Sequence, residues 1–100
     1  MKGKIEFQFN GAIWQYSTLK GSWYFVSLPV EISNEIRENW KWQEEGWGRL
    51  KATARINHTE WETAIWFDSK MKTYLLPLKA DVRRKEKLEF GNFTSISIWI

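Results

Sequence analysis

The sequence holds few side chains suited to catalysis. Nucleophilic catalysis needs a base beside the nucleophile, and the one histidine, His58, lies in a predicted turn where solvent exposure is the simpler interpretation. Glu60 and Glu62 could share a strand face, as paired carboxylates do in acid–base catalysis, but a solvated polar face explains them better. The chain has no cysteine, no metal-binding spacing of histidines and no phosphate-binding glycine loop. We therefore predict no catalytic residue, no metal site, no cofactor and no enzymatic activity.

Basic side chains give a stronger signal. The chain has a net charge of +3, and residues 79–87 contain five basic and two acidic residues. The basic residues of this segment lie on a predicted short helix and its lead-in: Lys79, Arg83, Arg84, Lys85 and Lys87. A predicted strand points three more to one face, where they could extend the patch: Arg49, Lys51 and Arg55. Such clusters can bind phosphates, and the alternative is a solvated face that keeps the protein soluble.

Tryptophan is the other abundant residue with binding chemistry, with eight copies in 100 residues. Five fall in predicted strands, where tryptophan is most often core: Trp14, Trp23, Trp61, Trp66 and Trp99. Three fall near the end of a predicted helix and the following turn: Trp40, Trp42 and Trp47. Because so many indoles exceed what one small core holds easily, we expect some of them to line a groove or contact a partner. Aromatic rings beside Lys or Arg can stack on bases, sugars or other planar ligands.

Hydrophobic periodicity predicts the strands that position these residues. Residues 4–16 alternate as one long bent strand with a bulge at Asn10-Gly11, followed by a hairpin loop from Ser17 to Ser22. The next run, residues 23–28, is apolar on both faces and predicts a central strand that ends at Pro29. Further strands are predicted at residues 49–56, 61–67 and 73–78, with Pro77 at an edge, and in a last segment that turns Ile96, Ile98 and Ile100 inward.

Two short helices are predicted between the strands. The first is capped by Ser33 or Asn34, has Ile32, Ile36 and Trp40 on one face, and ends before Glu44. The second is opened by Asp81, runs through Lys87 and is anchored by Val82.

These elements predict a mainly β fold, a small six-stranded barrel or pseudo-barrel that is mostly antiparallel and has two short helices. A length of 100 residues predicts one domain over 1–100. No apolar run is long enough to span a bilayer or to act as a signal peptide, so we expect no membrane association and a cytoplasmic location. The oligomeric state is open.

Four segments, in order, resemble a bacterial family of small domains of unknown function (number nineteen-zero-five). The segment at residues 23–29 is similar to its W-x-F-V-x-L-P signature, and residues 46–50 to its G-[FW]-G-R-[VIL] segment. Residues 61–65 are similar to its W-x-T-S-L strand, and residues 74–85 to its Y-x-L-P-L-K…V-R-K block. The departures are His58, where the family tends to have Gly, Asn92, where it tends to have Asp, and residues 39–43, which look inserted.

The resemblance implies a double-split β-barrel, a fold group that also contains transcription-factor domains, and it implies no activity. Three functions follow as hypotheses. The first is a non-enzymatic binding module in which Trp47, Lys79, Arg83 and Arg84 hold an anionic or planar small ligand. The second is nucleic-acid binding by analogy of fold, and the third is protein–protein interaction through exposed tryptophans.

Overall fold

The computed structural model describes residues 2–46 and 48–100. These residues contain six β-strands: β1 (Glu6–Thr18), β2 (Gly21–Ser27), β3 (Arg49–Ile56), β4 (Thr59–Asp68), β5 (Thr73–Pro77) and β6 (Phe93–Trp99). The same residues contain two α-helices, α1 (Val30–Trp40) and α2 (Ala80–Glu86), and a 3-10 turn at Lys41–Gln43.

The strands form a closed antiparallel barrel in the order β1-β2-β5-β4-β3-β6. Closure depends on the length of β1, which has 13 residues. Its first half pairs with β6, from Glu6 opposite Trp99, and its second half pairs with β2, from Ile13 opposite Val26. The predicted mainly β, six-stranded barrel with two short helices is confirmed.

The change of partner within β1 occurs next to Gly11. A Cβ atom at Gly11 would lie 2.4 Å from Cγ1 of Val26, so only glycine lets β1 pass this close to β2. The predicted single bent strand is correct, but the predicted bulge is wrong, because both ladders pair one residue with one throughout. The hairpin is also tighter than predicted, because Thr18 pairs with Gly21 and only two residues remain in the loop.

The core fills the barrel and is built from alternate residues of each strand. Most of its members are aliphatic, and Tyr74 is the largest fully buried side chain among the described residues. Ile36 of α1 belongs to the same cluster, and Val82 of α2 is buried as predicted. Because the interior is filled by side chains, the barrel is a packed core without a channel.

Both helices begin differently from the prediction. Helix α1 starts directly after Pro29, so Ser33 lies inside the helix, where its buried hydroxyl accepts a hydrogen bond from the Tyr74 backbone N–H at 3.0 Å. Helix α2 starts at Ala80 without a side-chain cap, and Asp81 lies in its first turn. Helix α1 ends at Trp40, before Glu44 as predicted. Neither α1 nor α2, the α-helices of the described chain, is long and apolar enough to cross a membrane.

Fewer strand tryptophans lie in the core than predicted. Of the strand tryptophans, Trp99 is buried and Trp61 packs against the core, whereas Trp23 and Trp66 are exposed on the outer barrel wall. Side chains alternate between the two faces of a strand, and the inward positions are taken by smaller aliphatic residues. Trp42, in the 3-10 turn, is 78% exposed. The outer wall is therefore rich in aromatic surface.

Candidate functional site

A cleft opens where β2 and the chain after β5 diverge. The backbone N–H of Leu78 donates to the carbonyl of Tyr24 at 2.8 Å, and beyond this bond the chain turns away into α2. The space between has a volume of about 290 Å³, just below the usual range for ligand sites. Its lining comes from β2, the lead-in to α2 and α2 itself: Ser22, Trp23, Tyr24, Pro77, Leu78, Lys79, Ala80 and Arg83. We call this space the β2–α2 cleft.

Two consecutive aromatic residues of β2 form one side of the cleft. Tyr24 faces inward and packs against the core. Trp23 faces outward, is 46% exposed, and has its ring centroid 6.1 Å from that of Tyr16 on β1. The cleft therefore has one accessible aromatic ring, the indole of Trp23, which suits stacking on a planar group.

Arg83 forms the opposite side and is held by two contacts. Its guanidinium carbon lies 3.9 Å from the ring centroid of Tyr24, and its Nε donates to the carbonyl of Leu78 at 3.2 Å. Within residues 2–46 and 48–100, no acceptor bonds its two terminal nitrogens. An arginine fixed by stacking and by Nε presents its remaining donors at little entropic cost to a carboxylate or phosphate.

Lys79 adds a second positive charge to the lining of the cleft. It precedes the first residue of α2, is exposed, and forms no ion pair with any described residue. In contrast, Arg84 pairs with Asp81 at 2.6 Å and Arg49 with Glu45 at 3.1 Å. Lys79 and Arg83 thus give the cleft a positive charge that no described carboxylate neutralises by an ion pair.

Hydrogen bonds hold α2 beside the barrel. Glu86, its last residue, accepts from Thr59 Oγ1 at 2.5 Å and from Asn57 Nδ2 at 2.8 Å, both in the β3–β4 hairpin. The bond from Thr59, followed by that from Asn57, lowers the pKa of the Glu86 carboxyl below its ordinary value. This tether and the buried Val82 fix the position of Arg83 over Tyr24.

The structure separates the other predicted basic residues from the cleft. Three lie on the outer wall of β3, which is three strands away from β2 around the barrel, and line other cavities: Arg49, Lys51 and Arg55. Three lie on or after α2 but do not line the cleft: Arg84, Lys85 and Lys87. Trp47, also predicted to contact a ligand, lies outside the described residues. The structure therefore unites Lys79 and Arg83 with each other, but not with the β3 residues.

Sequence reasoning missed the contribution of β2 to the cleft. The run at residues 23–28 is apolar on both faces, and this pattern predicted a central strand. The structure instead carries the β1–β2 hairpin past the end of β5, so that residues 16–23 are all exposed. Ser22 beside Trp23 was the available signal, because a polar residue next to the hairpin glycine is typical of a strand end that leaves the core.

A second polar cluster links Tyr74, Glu44 and Arg37. The Tyr74 hydroxyl donates to Glu44, whose carboxylate also accepts from Arg37 Nη1 at 3.0 and 3.2 Å. Arg37 stacks over Phe67, with its guanidinium carbon 3.7 Å from the ring centroid. Burial, reinforced by the bond to Glu44, raises the pKa of the Tyr74 phenol well above its ordinary value. The phenol therefore stays protonated and ties the segment after α1 to β5.

The carboxylates and the histidine considered for catalysis lie apart from the cleft. His58 is exposed in the β3–β4 turn, and Glu60 pairs with Lys2 at 3.1 Å. Glu62 is exposed on β4. In the described part of the chain no three His, Asp or Glu residues cluster to hold a metal ion.

Comparison with known proteins identifies the family of the chain. The model of DUF1905, a domain of unknown function, matches residues 9–98. The match spans the barrel from β1 to β6, so the chain belongs to this family, and the resemblance seen in its four sequence segments is confirmed. No curated protein matches the chain.

Proposed function

We propose that this DUF1905 domain is a non-enzymatic binding module that holds an anionic, planar small ligand in the β2–α2 cleft. The observation that carries the proposal is that one cleft is lined by two cations without a described carboxylate partner, Lys79 and Arg83, and by the exposed indole of Trp23. The ligand's anionic group contacts the two cations, and its ring stacks on the exposed indole of Trp23.

Calorimetric titration with 2-naphthoate and adenosine monophosphate, each beside an uncharged analogue, tests this proposal. We expect the anions to bind and the uncharged analogues to bind much more weakly. The substitution Lys79→Ala should weaken binding by about tenfold, which is ~1.4 kcal/mol. Its matched control is Arg84→Ala, because Arg84 lies on the same helix but pairs with Asp81 outside the cleft.

Two results would contradict the proposal. One is the absence of binding by either anion at millimolar concentration. The other is binding that Lys79→Ala and Arg84→Ala weaken equally, because this would mean general attraction to a basic protein instead of a site. Added salt separates the contributions, since it screens the exposed charge of Lys79 more than the stacking on Trp23.

Protein interaction is a second candidate function, favoured by the outer aromatic wall. Along β1, three consecutive outward residues pair with aromatic neighbours: Ala12 with Phe93, Trp14 with Phe25 and Tyr16 with Trp23. Tyr16 is 56% and its neighbour Trp23 46% exposed, which is unusual for large aromatic side chains that lie side by side. Nucleic-acid binding has less support, because Lys79 and Arg83 line one cavity and the cations of β3 line others.

A further inference from the structure

The β2 strand has a free edge inside the β2–α2 cleft. It pairs with β1 along its length, from Gly21 to Val26, but with β5 only from Phe25 to Ser27. In an antiparallel ladder the backbone groups of alternate residues point to the same neighbour. The bond from Leu78 N–H to the Tyr24 carbonyl shows that the even-numbered residues of β2 point toward β5. The backbone N–H and carbonyl of Ser22 therefore point the same way, beyond the end of β5.

Arg83 also leaves the backbone N–H of Tyr24 without a partner. In a continued ladder the carbonyl of Leu78 would accept from the Tyr24 N–H. It accepts instead from Arg83 Nε at 3.2 Å. Outside the strand ladders, the Tyr24 N–H makes no hydrogen bond to a backbone carbonyl of the described residues. Three main-chain groups are thus available along this edge: the Tyr24 N–H and both groups of Ser22. A free strand edge of this kind recruits an extended chain by adding it as a new strand.

We propose that the β2–α2 cleft captures the carboxyl-terminal end of an extended peptide. The inference rests on the proposed function, since it specifies the anionic ligand as a chain-terminal carboxylate. That carboxylate lies at the narrow end of the cleft, where it accepts from the Tyr24 N–H and faces Arg83 and Lys79. The peptide then runs outward along β2, and its backbone pairs with Ser22.

Charge and size both favour a chain end as the occupant. Lys79 and Arg83 supply two positive charges at the point where β2 and the chain after β5 converge, and a terminal carboxylate complements them. The volume of about 290 Å³ accommodates about one or two residues, so the cleft suits the end of a strand instead of its middle. An aromatic last side chain on the outer face would stack on Trp23.

Tryptophan fluorescence titration with acetyl-Thr-Val-Thr-Phe tests the inference, with the same peptide as its carboxamide for comparison. We expect the free carboxylate to bind at least about tenfold more tightly than the carboxamide, since the charge-assisted bonds are lost in the latter. Equal affinity for the two peptides would overturn the inference.

The substitution Ser22→Pro tests the backbone pairing separately. Proline removes the N–H that points to the free edge, and because this N–H makes no bond to β1 we expect the β1–β2 ladder to persist. We expect at least about tenfold weaker peptide binding, whereas Ser22→Ala, which removes the hydroxyl bond to Ser17 but keeps the N–H, should leave it unchanged. Unchanged circular dichroism and thermal midpoint show that Ser22→Pro is folded. A folded Ser22→Pro variant that binds like the wild type would overturn the inference.

The two proposals fail in different ways. If 2-naphthoate binds in a Lys79-dependent manner and the peptide does not bind, the small-ligand function stands and the peptide inference is wrong. If neither binds, both are wrong. If the peptide binds but Lys79→Ala has no effect, the carboxylate lies elsewhere and the inference is wrong.

Discussion

At Gly11 the absence of one methyl group permits the barrel to close. The residue lies at the end of the β1–β6 ladder, one residue before Ala12, the last residue of β1 to pair with β6. Its missing side chain leaves the space taken by Cγ1 of Val26, which is fully buried. A branched side chain in a filled core cannot move aside without disturbing its neighbours. Gly11 is not among the glycines with positive φ, so glycine is needed here for packing.

Gly11→Ala should therefore lower the free energy of unfolding by about 1–3 kcal/mol, because it overpacks the core. Urea denaturation measures the change. Gly46→Ala is the matched control, since a Cβ there meets no atom within 4 Å, and it should change stability by less than about 0.5 kcal/mol. In the double variant Gly11→Ala/Val26→Ala the two losses should be less than additive. Equal losses at Gly11 and Gly46 would contradict this account.

Helix α2 is an element that cannot position itself. It has seven residues and no side-chain cap, which is too short for an isolated helix in water. Its fixed position comes from Val82 in the core and from the Glu86 carboxylate, which binds the β3–β4 hairpin at Asn57 and Thr59. The orientation of Arg83 in the cleft therefore depends on contacts at the other end of the helix.

The tether makes stability depend on pH in a defined direction. The folded pKa of Glu86 lies below its ordinary value of 4.5, so its contribution is present above that pH and is lost as the pH falls through the folded pKa. Glu86→Gln should lower the free energy of unfolding near neutral pH, and the difference from the wild type should shrink in acid. Urea denaturation across this range measures it.

Glu38→Gln is the control for this pH series, since the Glu38 side chain is exposed and forms no hydrogen bond with a described residue. It should follow the wild type at every pH. A gap between Glu86→Gln and the wild type that stays constant down to acid pH would show that the carboxylate charge is irrelevant.

The sequence predicted the elements better than the site. Alternation identified the strands and the two helices, because burial of one strand face leaves a direct periodic record. It could not show where the pairing between β2 and the chain after β5 ends, because there the carbonyl of Leu78 bonds Arg83 Nε, five residues later in the chain. It also misplaced the strand tryptophans. When both faces of a strand are apolar, periodicity cannot show which face points to the core. For this reason Trp23 was not among the predicted site residues.

The whole molecule has two chemically different sides. The outer wall around β2 is aromatic and, at its end, carries the cleft with Lys79 and Arg83. The outer wall of β3, on the opposite side of the barrel, carries exposed cations that include Lys51 and Arg55. Arg55 stacks over Trp99, with its guanidinium carbon 5.3 Å from the ring centroid. The two sides are therefore expected to act independently.

Removing the β3 cations should leave the cleft unaffected. In the double variant Lys51→Ala/Arg55→Ala, affinity for 2-naphthoate should stay within about twofold of the wild type, because separated sites couple weakly. Calorimetric titration measures it. A loss comparable to that of Lys79→Ala would show that the basic residues form one continuous surface, as nucleic-acid binding requires.

The pairing of β1 with β6 also determines how the barrel responds to force. Glu6 lies opposite Trp99, and Ile5 and Ile100 exchange backbone hydrogen bonds, so residues near the two ends of the chain lie side by side. Tension applied through these residues would peel β6 from β1 and load one pair of bonds at a time. The closed barrel should consequently open at low pulling force.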